Sequence, residues 1–231
     1  MMLLLITILL VVIIGVSFYK KHQQIGIIAT FALLLVQGGL LLDSQSHFGT
    51  TTDKHTQISQ IKPVASIHAN HIMIVKTIKQ GKTHYTAFAT KKPNSSKLNL
   101  ILNKDKKVVI QKSADNPNQL LTTNTQYHYA NSLMKFLFNG VTSQGQLKRQ
   151  VVTYQLDQDW TVLSKQQLKS AVTKLKSKSF QTKLQAQVKT KLTAKIKQDP
   201  KLLKQPKQLK RLQNELVSKA IGHELKQFES A

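Results

Sequence analysis

Residues 3–42 read LLLITILLVVIIGVSFYKKHQQIGIIATFALLLVQGGLLL and set the architecture of the whole chain. They contain two uncharged apolar runs, residues 3–19 and residues 25–42, separated by the polar stretch KKHQQ. Each run approaches the roughly 20 residues that a helix needs to cross the hydrocarbon core of a bilayer. The sequence therefore predicts two transmembrane helices joined by a tight turn, a hairpin within residues 1–43.

Three other interpretations of this segment are less favourable. A single helix over residues 3–42 would be about 60 Å long, and it would place Lys20 and Lys21 at mid-bilayer at about 2.5–3.5 kcal/mol each. A cleaved signal peptide would need a basic start and a small-residue cleavage site, which the first run lacks. A soluble helical pair would have to be apolar on every side, which is uncommon in a domain of this size.

The orientation of the hairpin is predicted from its short loop. Lys20 and Lys21 lie between the two runs, and short cytoplasmic loops are enriched in Lys and Arg. We therefore expect a two-span protein of the cell membrane, with the turn inside and with both termini and the soluble part outside the cytoplasm.

Gln37, Gly38 and Gly39 interrupt the second apolar run. One interpretation is a helix-packing site, because glycines allow close approach and a glutamine can hydrogen-bond across helices, within the hairpin or with a partner subunit. The other is that small and polar residues are simply tolerated near the end of a span. The sequence leaves both open.

The charge of the chain is high and unevenly distributed. The net charge is +24, and residues 165–231 alone carry seventeen Lys and Arg against four acids. Such a balance indicates an anionic partner, although a solvated basic face is the plainer alternative.

The densest basic stretch is TKLKSKSFQTKLQAQVKTKLTAKIK, residues 173–197, which has eight lysines and no acid. An anionic surface would offset the repulsion between neighbouring lysines at i,i+4 spacing and would contribute about 1 kcal/mol per lysine near charged lipid. We therefore expect these side chains to contact an anionic surface. They are Lys174, Lys176, Lys178, Lys183, Lys189, Lys191, Lys195 and Lys197.

Residues 44–163 are predicted to form a β-rich soluble module. Short β-branched and aromatic runs occur at residues 71–78, 84–90, 98–103 and 107–112, and continue at 120–130 and 150–157. Turn residues separate them, and QGK at residues 80–82 is typical of a hairpin loop. The spacing predicts an antiparallel sheet or a small barrel, with Trp160 as a core residue. Residues 132–140 fit either a strand or a short helix.

Residues 164–231 are predicted to form a basic helical pair. Ser164 with Gln167 has the spacing of a capping box, and a helix is expected from there to Gln198. Asp199 and Pro200 would end it and start a second helix, which Pro206 breaks or restarts. The apolar side chains of the first helix recur every four residues, so its apolar stripe winds around the axis.

No sequence pattern predicts catalysis, a cofactor or a metal. Cysteine is absent, GHELK at residues 222–226 lacks the second histidine of a zinc helix, and His68 and His71 would lie on opposite faces of a strand. Asp157 and Asp159 fit a turn better than a catalytic pair. We expect a protein that is not an enzyme. Nucleic acid is not an expected partner either, because the usual aromatic stacking motif is missing.

Four further segments carry a family resemblance besides the opening hairpin. They are SHFGT at residues 46–50, MIVKTIKQGKTHYTAFAT at 73–90, YHYANSLMKFLFNG at 127–140 and LKRQVVTYQLDQDWTVLS at 147–164. Through them the chain resembles a family of membrane-anchored proteins of lactic-acid bacteria, the domain of unknown function DUF4811. The resemblance implies a membrane protein of unknown role and assigns no catalytic residue. The lysine-rich segment is not part of it.

Together these patterns predict an α+β membrane protein in three parts: a transmembrane hairpin, an antiparallel β-rich extracytoplasmic module and a Lys-rich helical pair. The expected function is that of a non-enzymatic cell-envelope protein. Its partners would be the bilayer and an anionic wall polymer or lipid headgroup. The alternative is an accessory subunit of a transporter or of another membrane complex, docked through Gln37, Gly38 and Gly39.

Overall fold

The computed structural model describes residues 2–115, 117–140 and 144–229, and it has a mixed α+β fold. Two apolar helices come first and a β-rich body follows, as the sequence predicts. The helices of the described residues are α1 (Met2–Tyr19), α2 (Gln23–Ser46), α3 (Ser132–Phe138), α4 (Lys165–Lys176), α5 (Lys178–Gln198), a 3₁₀ helix (Pro200–Lys204) and α6 (Pro206–Lys226).

The strands form two sheets. Their bounds are β1 (Thr50–Gln60), β2 (Ala65–Ile67), β3 (Asn70–Gln80), β4 (Thr83–Lys91), β5 (Leu98–Leu102), β6 (Lys107–Lys112), β7 (Gln119–Tyr129), β8 (Leu147–Leu156) and β9 (Trp160–Ser164). One sheet has the order β1-β7-β8-β6, and the other the order β2-β3-β4-β5 with β9 also paired to β3. Strand β9 lies along one edge of β3, while β2 and then β4 occupy its other edge.

The described chain divides into two compact units. The first unit comprises Met1–Gln57 and Thr122–Val151, and the second comprises Ile58–Leu121 and Val152–Ala231. The first unit thus contains α1, α2 and α3, whereas α4, α5 and α6 belong to the second unit together with β2–β6 and β9. The basic C-terminal helices therefore share a unit with much of the β-structure.

The core of the second unit has two apolar clusters, one on each face of the β3–β9 pair. Ile72 and Leu163 pack with the helices α4, α5 and α6, whereas Met73 and Trp160 pack against residues of β6, β7 and β8. Side chains along a strand point alternately to its two faces, so adjacent residues of β3 enter different clusters. Trp160 is 1% exposed, which confirms its prediction as a core residue.

The predicted β3–β4 hairpin is confirmed. Gln80 pairs with Thr83, so the loop has two residues. Gly81 has a φ of +61°, a conformation that costs glycine little because it has no Cβ. All six strands that the sequence predicts are present in β3–β8.

Three expectations about the β-module need revision. Strand β1 was not predicted, because its sequence TTTDKHTQISQ lacks apolar alternation and its side chains are almost all exposed. Strand β9 pairs with β3 in parallel, so the module is not purely antiparallel. The open choice for residues 132–140 is resolved as a short helix, α3, which Asn131 caps by accepting a hydrogen bond from the Met134 amide.

The start of the C-terminal helices is confirmed in atomic detail. The Ser164 hydroxyl accepts a hydrogen bond from the Gln167 amide at 3.1 Å, and the Gln167 side chain accepts one from the Ser164 amide at 2.6 Å. This reciprocal pair is the capping box that the sequence predicts, and it satisfies two amides that the first turn of a helix leaves without partners.

The prediction of one continuous helix to Gln198 is wrong. Ser177 adopts an extended conformation between α4 and α5, and its hydroxyl accepts a hydrogen bond from the Phe180 amide at 3.3 Å. Serine competes with helical geometry through such local bonds, so it ends one helix and caps the next. Asp199 caps the 3₁₀ helix through the Lys201 amide, and α6 begins at Pro206. The expected helical pair is therefore three α-helices and a 3₁₀ turn.

Candidate functional site

The helices α1 and α2 expose apolar side chains over most of their surface. Both are long and apolar enough to span a membrane. Ile8 and Leu34 are each 62% exposed, although a soluble helix would bury side chains of this kind. A helix that is apolar on all sides needs an apolar surrounding, so this hairpin is the first candidate contact surface.

Close packing holds the two helices together at the turn. The amide of His22 donates a hydrogen bond to the Ser17 carbonyl at 2.9 Å, and Lys21 has a φ of +59°. A Cβ at Gly26 would lie 3.0 Å from the Phe18 ring, so the lack of a side chain at Gly26 leaves room for that ring. Lys20 and Lys21 are exposed at the turn.

The three predicted packing residues of α2 do not act together. The Gln37 amide donates a hydrogen bond of 3.4 Å to the Thr7 hydroxyl of α1, so Gln37 faces the inside of the hairpin. Gly38 and Gly39 have no atom within 4 Å of where a Cβ would stand, apart from their own helix and chain neighbours. These two glycines therefore leave open space beside α2.

An aromatic cluster lies where the chain leaves α2. His47, in the left-handed conformation, ends α2, and its ring stacks on that of Tyr127 with 3.8 Å between the centroids. Phe48 meets Phe138 edge-on at 6.3 Å. Gly49 has a φ of +72°, a conformation that favours glycine. A Cβ here would lie 2.7 Å from the Met134 sulfur, so a larger residue would also displace that side chain.

A buried acid supports this cluster. Asp43 lies in the last turns of α2 and is fully buried. Burial, the charge of Asp43 and a side-chain hydrogen bond with Asp43 together raise the pKa of Tyr129 to about 12. The Tyr129 hydroxyl also donates to the Phe138 carbonyl at 2.8 Å. Nothing in the local sequence around Asp43 indicates that this acid is buried.

The eight lysines predicted to meet an anionic surface are all exposed. Lys174 and Lys176 lie on α4, and the other six lie on α5. Lys174 differs from the rest, because its ammonium forms an ion pair with Glu224 and lies 5.5 Å from the centroid of the Phe228 ring. The remaining seven form no ion pair within the described residues.

The glutamates of the C-terminal region have partners elsewhere. Glu215 pairs with Lys219 one turn away on α6, Glu229 pairs with Lys112 of β6, and Glu224 pairs with Lys174. Lys219 lowers the pKa of Glu215 most strongly, by a hydrogen bond and by its charge, and Arg211 and Lys195 add smaller effects. The positive charge of α5 is therefore largely unneutralised within the described chain.

His71 and Asp159 of the second unit lie side by side. His71 Nε2 lies 3.7 Å from a carboxylate oxygen of Asp159, and residues 157–159 form the turn that the sequence predicts. Burial raises the pKa of Asp159, while the charge of His71 lowers it. Across residues 2–115, 117–140 and 144–229, no group of three or more potential metal ligands was found.

These features define a class: an α+β protein in which an apolar helical hairpin leads into a β-rich body. Within that class, the chain belongs to the family of the domain of unknown function DUF4811, whose model matches residues 19–171. No curated protein and no solved structure matches the chain.

The family match includes the residues of the aromatic cluster. Two of the segments that carry the resemblance, residues 46–50 and 127–140, supply the stacked and edge-on rings around Gly49. They are distant in sequence, and they meet where α2 leads into β1. The match ends at residue 171, so α5 with its six lysines lies outside it.

Proposed function

We propose that this protein is a membrane-anchored, non-enzymatic component of a Gram-positive cell envelope. In this proposal α1 and α2 cross the cell membrane, and the remainder of the chain lies outside the cytoplasm. The basic face of α5 then contacts an anionic wall polymer or anionic lipid headgroups. Support comes from the two apolar helices and from the charge of the C-terminal region.

One observation carries the proposal: α5 turns its apolar side inward and leaves its lysines without carboxylate partners among the described residues. Leu184 and Val188 are buried against α4 and α6. Lys178, Lys183, Lys189, Lys191, Lys195 and Lys197 stay exposed. A helix whose lysines served only its own fold would place acids beside them, and α5 contains none.

The layout of α5 favours contact with charge over insertion into lipid. At about 100° per residue, Thr182, Ala186, Thr190 and Ala194 lie opposite the buried stripe. Lysines flank this ridge of small residues on both sides. Helices that insert into a bilayer surface place large apolar side chains in the centre of the exposed face, and these positions are small or polar. The face therefore suits phosphate groups, whether on a polymer or on headgroups.

A charge-matched comparison tests this function. The full chain in vesicles of neutral lipid would be titrated with a soluble polyanion, glycerol-phosphate polymer, and separately placed in vesicles containing anionic lipid. The test variant replaces the six α5 lysines by Gln. The control variant replaces by Gln six exposed lysines of β3, of β6 and of the loops on either side of β4: Lys76, Lys79, Lys82, Lys92, Lys97 and Lys107.

The proposal expects the α5 variant to lose at least tenfold in affinity for the polyanion, while the control loses much less. Binding should weaken as salt rises, because the screening length is about 8 Å at physiological ionic strength. Equal losses in the two variants would indicate a diffuse charge effect, and salt-independent or absent binding would contradict the proposal. A response to anionic vesicles alone would identify the headgroup as the partner.

An accessory-subunit role is the second candidate. It is favoured by the open space at Gly38 and Gly39, where another helix could approach closely. Replacing Gly39 by Leu should then abolish co-purification with a membrane partner in mild detergent, whereas Gln37→Leu should affect the hairpin itself. Polyanion binding should be unchanged in both variants. Co-purification that survives Gly39→Leu would contradict this role.

A further inference from the structure

Helix α3 has one face that packs and one that does not. Met134 packs against Gly49, and Phe138 is buried against Phe48 and Tyr129. On the other side, Leu133 is 61% exposed and Phe136 is 58% exposed. Side chains three residues apart lie on the same side of a helix, so these two form one apolar face that is mostly exposed.

This face lies beside the beginning of α1. A shallow groove of about 400 Å³ is lined by Met2 and Leu5 of α1 together with Ser132, Lys135, Phe136 and Asn139. Leu5 is itself exposed. The apolar surface of α1 therefore continues into the exposed ring of Phe136, and both belong to the first unit.

The position of the groove indicates which partner would cover it. If α1 crosses a bilayer, its first turn lies near one surface of that bilayer, and α3 lies at the same depth. Aromatic and aliphatic side chains are favoured at that depth. Lys135 lines the same groove and can reach a lipid phosphate with its ammonium while its stem covers apolar surface.

We propose that α3 is an interfacial helix: Leu133 and Phe136 enter the bilayer surface at the leaflet where α1 begins and α2 ends, and Lys135 contacts a lipid phosphate. The inference rests on the proposed membrane insertion of α1 and α2. It adds a second membrane contact, made by the body of the protein instead of by its anchor. The aromatic cluster under α3 then holds this helix at the correct depth.

The absence of cysteine makes a direct test possible. Single cysteines would replace Leu133 and Phe136 in the full chain, each labelled with an environment-sensitive fluorophore and reconstituted in lipid vesicles. Because both side chains are exposed, a cysteine at either position removes little packing. Two controls set the limits of the signal. Leu9→Cys, on the exposed side of α1, gives the signal of a label inside the bilayer, and Lys82→Cys, in the β3–β4 loop, gives the signal of a label in water.

Quenchers attached to lipid at shallow and deep positions distinguish the outcomes. The inference expects the shallow quencher to reduce fluorescence at positions 133 and 136 at least threefold more than at position 82. The deep quencher should act most strongly at position 9. Quenching at position 9 with none at 133 and 136 would overturn the inference while leaving the anchor intact.

Two other results would also overturn it. If position 9 is not quenched, both the anchor and the inference fail. If positions 133 and 136 are shielded from aqueous iodide but are not quenched by lipid, a protein covers the face of α3 instead of the bilayer.

Discussion

The two ends of the chain each carry a pair of packed helices, and the pairs differ in what they expose. Helices α1 and α2 turn Ile8, Leu34 and many similar side chains outward. Helices α5 and α6 bury their apolar side chains in a shared cluster and expose lysines. Helix packing alone does not explain the difference. In the proposed function, the first pair faces hydrocarbon and the second faces water beside negative charge.

The distribution of acids supports the same contrast. The first pair contains one acid, Asp43, and buries it beside Tyr129. In the second unit, three glutamates pair with Lys112, Lys174 and Lys219, so none of these ion pairs uses a lysine of α5. The comparison predicts which substitutions each pair tolerates.

The largest expected effect is in the core that the C-terminal helices share with the sheet. Leu225 is fully buried with Ile72 and Leu163. Leu225→Ala should lower the free energy of unfolding of the second unit by about 2–5 kcal/mol, because it removes buried methyl groups and leaves a cavity. The fluorescence of Trp160, the single tryptophan, would follow unfolding in denaturant.

Leu203→Ala, at a site 63% exposed, is the control and should change stability by less than about 0.5 kcal/mol. Equal effects would mean that the helices do not share this core.

The next effect compares the same substitution, leucine to lysine, in α2 and in the C-terminal region. Leu34 of α2 and Leu203 of the 3₁₀ helix have nearly equal exposure. Leu34→Lys should cost about 2.5–3.5 kcal/mol if the side chain faces the middle of a bilayer, and a fraction of the protein should leave the membrane pellet after cell fractionation. Leu203→Lys should leave the distribution unchanged. If both variants behave like the wild type, α2 does not face lipid.

A smaller effect distinguishes how the helices begin. Ser164→Ala should destabilise the second unit by about 1 kcal/mol, because it removes the capping hydroxyl of α4. His22 precedes α2 without a side-chain capping hydrogen bond, so His22→Ala should change little. Thermal unfolding monitored by circular dichroism in detergent would compare the two. A larger loss for His22→Ala would contradict the assigned caps.

The last prediction combines a small loss of stability at neutral pH with a change in how stability depends on alkaline pH. The pKa of Tyr129 is raised from its ordinary value of 10.0 to about 12, so its contribution to stability is present below pH 10 and is lost as pH rises toward 12. Tyr129→Phe should cost about 0.5–1.5 kcal/mol at neutral pH, through the lost hydrogen bond, and should reduce the alkaline loss. Tyr127→Phe is the matched control and should retain that loss. Unfolding curves of the wild type and of both variants at pH 8 and pH 11 would measure the loss. An equal alkaline loss in all three proteins would contradict the role of Tyr129.

Local sequence signals predicted local structure well. The apolar runs predicted α1 and α2, Gly81 marked the β3–β4 loop, and Ser164 with Gln167 marked the start of α4. Each signal depends on neighbours within a few residues. Where a side chain had competing local choices, as Ser177 did inside a basic helix, the prediction failed, because serine suits either a helical surface or a cap.

Features that depend on distant contacts could not be predicted. The parallel pairing of β9 with β3 joins residues about ninety positions apart. Strand β1 has one apolar residue, Ile58, and that side chain is exposed, so the strand carries no burial pattern. The burial of Asp43 and the stacking of His47 on Tyr127 require α3 and β7 to return to the end of α2. The lysines of α5 were predicted as a set, but the pairing of Lys174 with Glu224 also needed the tertiary structure.

The topology of the chain is the most direct test of the account. Single cysteines would be placed at Gln24, beside the turn, and at Thr190, on the exposed face of α5, and treated with an impermeant maleimide. The account predicts that position 190 is labelled on intact bacteria. Position 24 should be labelled only after the cells have been permeabilised. Labelling at position 24 together with protection at position 190 in intact cells would contradict it.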